Sequence, residues 1–415
     1  MLSGAQLQAV SGRQCAMPVR ESVCFITENR SFGGVEVHTL GLMDALIRRG
    51  YTIELVENRY DGYDDIVRAR DWKEHVHIIH TDLDGILYGE RTDLRQWRKV
   101  LASLRSRILV FPKGNNNYGQ IRLLRLCRRQ FERIVLIEHL EPYAKPRAGK
   151  RWFGVVPGFG LWWRRRRLFS RLGAACADHI IAVSEQVRRR LVDDFDYAAD
   201  RLSVVRNGVA WRELQRNEAV GREFRERHDI EPDGFVFGML TRLSPEKGID
   251  LALHALQRLL SGNPARRPYL VIAGQGNLRE QLEQLAERLG VREHVRFIGF
   301  VARPAEVLSG YDAIVFSSHQ EGLPLGLLEG MAAGCVPIVT RISGMPEAVE
   351  SPAVGWVIPP GDPAALTVAM LAAVSLPAAD LDAMRKRVTA RIRQHFDIED
   401  CHRRILDVCG LEASA

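Results

Sequence analysis

Two cations and two carboxylates stand at spacings that suit one polar ligand. Arg242 and Lys247 flank Leu243-Ser244-Pro245-Glu246, ahead of Gly248 and directly after the apolar run Phe235 to Leu240. Pro245 shapes a turn and Gly248 relieves crowding, so the cations can converge from either side. A planar guanidinium fork and an ammonium point charge together suit a pyrophosphate. A solvated loop has the same composition. Further along, Glu321 and Glu329 lie eight residues apart around Gly322-Leu323-Pro324-Leu325. Proline in a first helical turn, with free N–H groups pointing outward, makes an anion site. Glu329, a turn or more into that helix, is placed to accept hydrogen bonds from two adjacent hydroxyls, as a ribose diol offers. Glu321, still in the loop, reaches hydroxyls beyond the phosphates. Two surface glutamates are the alternative, and the apolar setting argues against it.

The elements that must position these groups follow from periodicity. Apolar runs SVCFIT, YTIELVE, HVHIIH, SRILVF, RIVLIE, HIIAVS and LSVV alternate with helical patterns from Ser22 to about residue 205. After a polar connector a second series follows: FVFGML, PYLVIAG, VRFIGF, DAIVFSS, VPIVT and VGWVI. Short apolar strands alternating with amphipathic helices imply parallel sheets built from right-handed βαβ units. The fold class is therefore α/β, with two doubly wound domains facing each other. Expected boundaries are a loose leader over 1–20, a first domain over 21–210, a connector over 211–234, a second domain over 235–378, and a C-terminal helical segment over 379–415 that can pack back on the first domain. Ligands of such sheets bind at strand C-terminal ends, where all four charged groups lie.

Bulk properties narrow the setting. A chain of 415 residues, 46% hydrophobic and 26% charged, is comfortable for two domains. It has no apolar run of about 18 residues that would span a membrane, and its start lacks the apolar core of a secretory signal. Seven scattered cysteines without CxxC spacing argue against a zinc site or disulfide framework, and for a reducing cytoplasm. The net charge of +7 is local: nine Lys/Arg stand against Glu141 alone between residues 141 and 172.

The second series carries a resemblance. The spacing ExxxxxxxE, opened by Glu-Gly-Leu-Pro after a strand ending in Ser-Ser, resembles the signature of the retaining GT-B glycosyltransferases of family 4. RLSPEKG, VIAGQGNLREQLEQLAERLGVREHVRFIGFV and GMAAGCVPIVTRISGMPEAV match that family in order and spacing, strongly over 235–365 and more loosely over 22–210. The resemblance implies a nucleotide-sugar donor held mainly by the second domain, with no metal and no cofactor. Arg242 and Lys247 would neutralise the diphosphate, and Glu329 would bind the ribose. Glu321 with the backbone of Gly322, Leu323, Pro324 and Leu325 would hold the sugar and distal phosphate. Phe297, Ile298 and Gly299 would line the base, and Gly274 would allow close approach. Thr241 departs from the glycine usual before the arginine, which bears on how tight that turn can be.

In the first domain, Gly33 and Gly34 precede a helix. A Gly-Gly pair lets the backbone approach a ligand and take positive φ, or makes a plain tight turn. In the family this loop faces the donor phosphates. His139, after RIVLIE, occupies the position of the family's active-site histidine, near the donor sugar. The catalytic set implied is His139, Glu321, Arg242 and Lys247. Same-face attack, helped by the departing phosphate, is the implied chemistry, with the cations stabilising charge on the leaving group. Asp82-Leu83-Asp84 is a chance DxD, and Asp193, Asp194 and Asp196 read as a helix end with solvated carboxylates.

The basic segment includes Lys150, Arg151, Trp152, Trp162, Trp163, Arg164, Arg165, Arg166 and Arg167. Tryptophan beside arginine suits an anionic lipid boundary. A structural helix with a solvated face and a polyanion-binding surface remain as readings. The expected partners are a nucleotide-sugar, a glycan or lipid-linked glycan acceptor, and an anionic membrane surface at the inner face; nucleic acid is not the expected partner. The expected activity is a hexosyltransferase-like transfer in polysaccharide or cell-envelope glycan biosynthesis. A nucleotide-sugar epimerase on the same fold, or a non-catalytic nucleotide-sugar or polyanion-binding protein, are the competing readings.

Overall fold

The thirteen apolar runs become thirteen parallel strands in a computed structural model. It describes residues 21–27, 33–58, 61–81, 94–113, 120–140 and 159–411. The 1–20 leader, the Asp82/Asp84 pair and the start of the basic segment, including Lys150, Arg151 and Trp152, lie outside the described residues. The first sheet comprises β1 (Ser22–Thr27), β2 (Thr52–Glu57), β3 (Val76–His80), β4 (Ile108–Lys113), β5 (Arg133–Glu138), β6 (His179–Ala182) and β7 (Leu202–Val204), in the order β3-β2-β1-β4-β5-β6-β7. The second comprises β8 (Phe235–Leu240), β9 (Pro268–Ala273), β10 (Val295–Gly299), β11 (Ala313–Phe316), β12 (Val336–Thr340) and β13 (Trp356–Ile358), in the order β10-β9-β8-β11-β12-β13.

The strands read as unbroken apolar runs because helices cover both faces of each sheet, as parallel sheets require. Val23 to Ile26 and Leu270 to Ala273 are fully buried. In each sheet the strand order reverses beside one strand, between β1 and β4 and between β8 and β11. The C-terminal ends of β1 and β8 therefore lie at the two switch points, where ligands of doubly wound sheets bind. Gly33 is the first described residue after β1, and Thr241–Gly248 follows β8.

The chain crosses between the sheets twice, and the crossings lie side by side. Val209 N donates to Phe396 O at 2.9 Å and Trp211 Nε1 to Asp397 Oδ2 at 2.7 Å. Gly208 is needed there, since a Cβ would fall 2.6 Å from the Asp397 carbonyl oxygen. The helix within the expected connector, Glu218–Arg227, is capped by Asn217 and packs on the second domain through Arg225, which pairs with Asp312 at 2.7 Å. The expected C-terminal helical segment is two helices, Ala378–His395 and Ile398–Cys409. Asp397 starts the second by accepting from Glu399 N at 2.8 Å. The last helix lies on the first domain, where Arg404 reaches the Val204 carbonyl at 2.9 Å.

No single helix among the described residues is long and apolar enough to cross a membrane. The bent pair Pro363–Val374 and Ala378–His395 passes that test only jointly, turning through 111° between its halves.

Candidate active site between the two sheets

The second domain supplies a compact charged centre. After β8 the turn Pro245–Lys247 ends in Gly248 at φ 60°, and a Cβ there would meet the Ser317 carbonyl at 2.3 Å. Only glycine fits both demands. This turn carries Lys247 inward, where its Nζ donates to Glu321 Oε1 at 2.8 Å in a buried ion pair. Ser318 Oγ donates to the same oxygen at 2.8 Å. The sequence placed Lys247 and Glu321 on different parts of a ligand; the structure joins them to each other. A buried carboxylate needs a counter-charge, and Lys247 is within reach. Lys carries three N–H donors, so the pairing leaves it able to donate elsewhere. Arg242 is half exposed, with Nη2 3.5 Å from Glu246 Oε1.

Thr241 does not loosen the turn. It keeps negative φ and donates its N–H to Ala273 O at 3.0 Å. The close approach is made by the facing loop instead: Gly274 sits at φ 149°, and a Cβ there would fall 1.8 Å from the Thr241 carbonyl oxygen. Gly274 N in turn donates to Gly299 O at 2.7 Å, tying in Phe297, Ile298 and Gly299. Arg279 covers the outer side of this strand end, donating to the Phe297 carbonyl at 3.2 Å.

Gly322 makes the contact that closes the site. A Cβ on it would lie 1.7 Å from the carbonyl oxygen of His139, on the opposite domain. Asn207 Nδ2 donates to Leu323 O at 2.7 Å, again across the cleft. Pro324 caps the helix Leu325–Ala332 in an extended conformation. Glu329 projects from the second turn of that helix, and its side chain makes no hydrogen bond or ion pair among the described residues. Part of its surface reaches solvent, yet protein surrounds it closely enough that burial pushes its carboxyl up to about 7.

From the first domain, Gly33 faces Arg242: a Cβ on Gly33 would come within 4.0 Å of Arg242 Cδ. Positive φ was an expected use of the glycine pair. Instead Gly33 is extended at φ −161° and Gly34 starts the helix Gly34–Ile47 with open space around its Cβ position. The missing side chains keep that space open. His139 is buried, and burial first, then the neighbouring His38, hold its imidazole well below the usual histidine range. It is therefore neutral.

Some predicted positions are elsewhere. Trp162 and Trp163 lie on the helix Phe159–Ala174, and their side chains are outside the described set. Arg164 and Arg165 on that helix are exposed, but Arg166 is buried and Arg167 is paired with Asp196. Successive helical residues turn by about 100°, so four consecutive arginines cannot share a face. The exposed patch is Arg164 and Arg165 with Leu168 and Phe169. The acidic helix end behaves differently from a solvated one, since Asp194 pairs with Arg190 at 2.9 Å.

One group among the described residues has metal-ligand types: Glu57, Asp64 and His80. Glu57 Oε1 lies 2.9 Å from His80 Nδ1, and Asp64 Oδ2 lies 3.4 Å from Nε2. The two carboxylates lie at opposite ring nitrogens of His80, whereas an ion would draw its ligands to one side.

Sequence reasoning missed three contributors: His38, Asn207 and Glu347. Glu347 accepts from Gln186 N at 3.1 Å and Arg206 Nε at 2.9 Å across the domain boundary. The signal for His38 was available, as a polar side chain on the buried stripe of the helix after Gly34.

Comparison with known proteins decides the family. The profile for glycosyl transferases group 1 matches residues 221–395, and that for Glycosyltransferase Family 4 matches 32–210. The chain belongs to the family 4 glycosyltransferases. An uncharacterized glycosyltransferase of Methanocaldococcus jannaschii, MJ1607, is 24% identical over 80% of this chain and 82% of its own length. A D-inositol 3-phosphate glycosyltransferase of Thermomonospora curvata is 30% identical over 46% of this chain and 47% of its own. The chain thus spans about half the length of that relative. The Anabaena protein Alr3699/HepE, solved in complex with UDP, superposes with a TM-score of 0.75 at 17% identity, covering 94% of this chain and 99% of the other. This likeness shows that the glycosyltransferase has the GT-B fold, two doubly wound domains across a cleft.

Proposed function

We propose that the cleft binds a nucleotide-diphosphate sugar and transfers the sugar, with retention, to a glycan or lipid-linked glycan in cell-envelope glycan biosynthesis. The observation that carries this reading is the buried Lys247–Glu321 pair, set beside Gly322 where that loop meets His139. Arg242, Lys247 and the N-terminus of the helix Leu325–Ala332 together place positive charge where a diphosphate would sit. As the bond to the anomeric carbon lengthens, charge grows on the leaving diphosphate, and fixed cations stabilise that state more than the ground state. These side chains do the work a divalent ion does in other transferases, so the reaction is expected to run without metal. Glu329 takes the ribose diol, and neutral His139 takes a hydroxyl of the donor sugar. The UDP bound to Alr3699/HepE favours a uridine donor.

The exposed Arg164, Arg165, Leu168 and Phe169 suit an anionic lipid surface, which supports a peripheral position on the inner face of the membrane. The test for the donor is a thermal-shift panel with UDP-glucose, GDP-mannose and ADP-glucose. One of them should raise the melting temperature of the wild type and fail to do so for Arg242→Ala and Lys247→Ala. An undiminished shift in both variants would mean that the diphosphate binds elsewhere. Product formed from donor alone would favour the epimerase reading.

A further inference from the structure

The sequence motifs do not explain how the imidazole of His139 is oriented. Its Nε2 is buried without a hydrogen-bond partner, and neither ring nitrogen is bonded to another group among the described residues. What the ring touches is a second histidine. His38, on the helix Gly34–Ile47, meets it edge-to-face, with ring centroids 4.7 Å apart and planes at 70°. Such T-shaped contacts are directional. With no hydrogen bond to set the ring's plane, packing sets it.

His38 is itself held from behind. Its Nε2 lies 3.9 Å from Cys401 Sγ, on the last helix, Ile398–Cys409. The next residue of that helix, the buried His402, fits against Gly41, where a Cβ would stand 3.5 Å from the imidazole. Gly41 lies one turn beyond His38 on the same helix. The file His139, His38, Cys401 thus runs from the cleft to a helix that the chain reaches only after leaving the second domain.

We propose that His38 is a positioning residue for His139, fixing the plane of its imidazole by ring packing, with the last helix as backing. The functional weight of this assignment rests on the reading that His139 contacts the donor sugar. His38 acts only through its neighbour.

The test separates ring from bulk. His38→Leu fills the site without a flat ring, and His38→Phe restores one; His38→Met repeats the first comparison with a slimmer chain. In full-length protein with labelled histidine rings, the His139 ring signal, assigned through His139→Ala, should stay sharp and ring-current shifted in wild type and His38→Phe. It should move and broaden in His38→Leu and His38→Met. Nucleotide release from the nucleotide-sugar that most raises the melting temperature should show kcat lower by about tenfold in His38→Leu, KM within about twofold, and near wild-type values in His38→Phe. An unmoved His139 signal in His38→Leu, or equal losses in His38→Phe and His38→Leu, would overturn the proposal. If His139→Ala itself leaves turnover intact, the assigned role of His139 is what fails, and the ring signal still decides the positioning.

Discussion

At the scale of single residues, groups of the site satisfy one another across long stretches of chain. Lys247 and Glu321 are 74 positions apart and meet in a buried pair. Removing either leaves the other charged and unpaired, which costs about 3–5 kcal/mol. Chemical denaturation of Lys247→Met, Glu321→Gln and the double variant should show the double variant losing clearly less than the sum. Additive losses would mean that the pair is not coupled in solution. Glu329 makes the pH dependence specific. Its carboxyl, ordinarily near 4.5, is pushed up to about 7 by burial. A raised folded-state value means that stability present below 4.5 is lost as pH rises through 7. Glu329→Gln should therefore raise the melting temperature of the free protein at about pH 8 and change it little at about pH 4.5. Accepting hydrogen bonds from a ribose diol favours the ionised form, so donor affinity of the wild type should weaken as pH falls from about 8 to about 6, and flatten in Glu329→Gln. Calorimetry in buffers of different ionisation heat reads the linked proton directly. Spacing alone singled out the four charged residues. It did not reveal that two of them pair, because that depends on where the Gly248 turn aims Lys247.

At the scale of elements, the strands were the most legible feature. A strand buried on both faces must be apolar at every position, so SVCFIT or PYLVIA declares itself without context. The strand order, and with it the switch points, came only from the structure. Contacts made by one element on a distant one were not legible. Nothing local in the run Ile398–Cys409 states that it lies on the first domain, and the break at Asp397 was hidden inside a continuous helical pattern. The run of four arginines misled for a related reason, since composition ignores the rotation that buries Arg166. The loop Glu321–Pro324 is the element most exposed to test. Gly322→Ala would press a methyl group into the His139 carbonyl of the other domain. Each domain's own core is untouched by that change, so the melting temperature should fall only modestly while turnover falls by about a hundredfold or more, as misplacement by about 1 Å does. Wild-type turnover in that variant would show that the two domains do not need this contact.

For the whole molecule, the two sheets bring the C-terminal ends of β1, β5, β8 and β11 to one cleft, and the last helix packs on the first domain through buried histidines. His38 and His402 are held down to about 4 and about 3, chiefly by burial, and His139 lies well below its ordinary value for the same leading reason. Lowered values mean stability that is present above the unfolded value of 6.5 and lost as pH falls. Each such histidine steepens the loss by up to about 1.4 kcal/mol per pH unit. His402→Leu should flatten the pH dependence of stability between about pH 6.5 and about pH 4.5, read by urea denaturation. The most direct measurement of the central claim is hydrogen exchange on the full chain, with and without the nucleotide-sugar that most raises its melting temperature. Bound donor should slow exchange in 241–248 and 318–330 together, and in 33–38 of the facing domain. Protection confined to other segments, with those three unchanged, would contradict a donor held between the two sheets by Arg242, Lys247, Glu321 and Glu329.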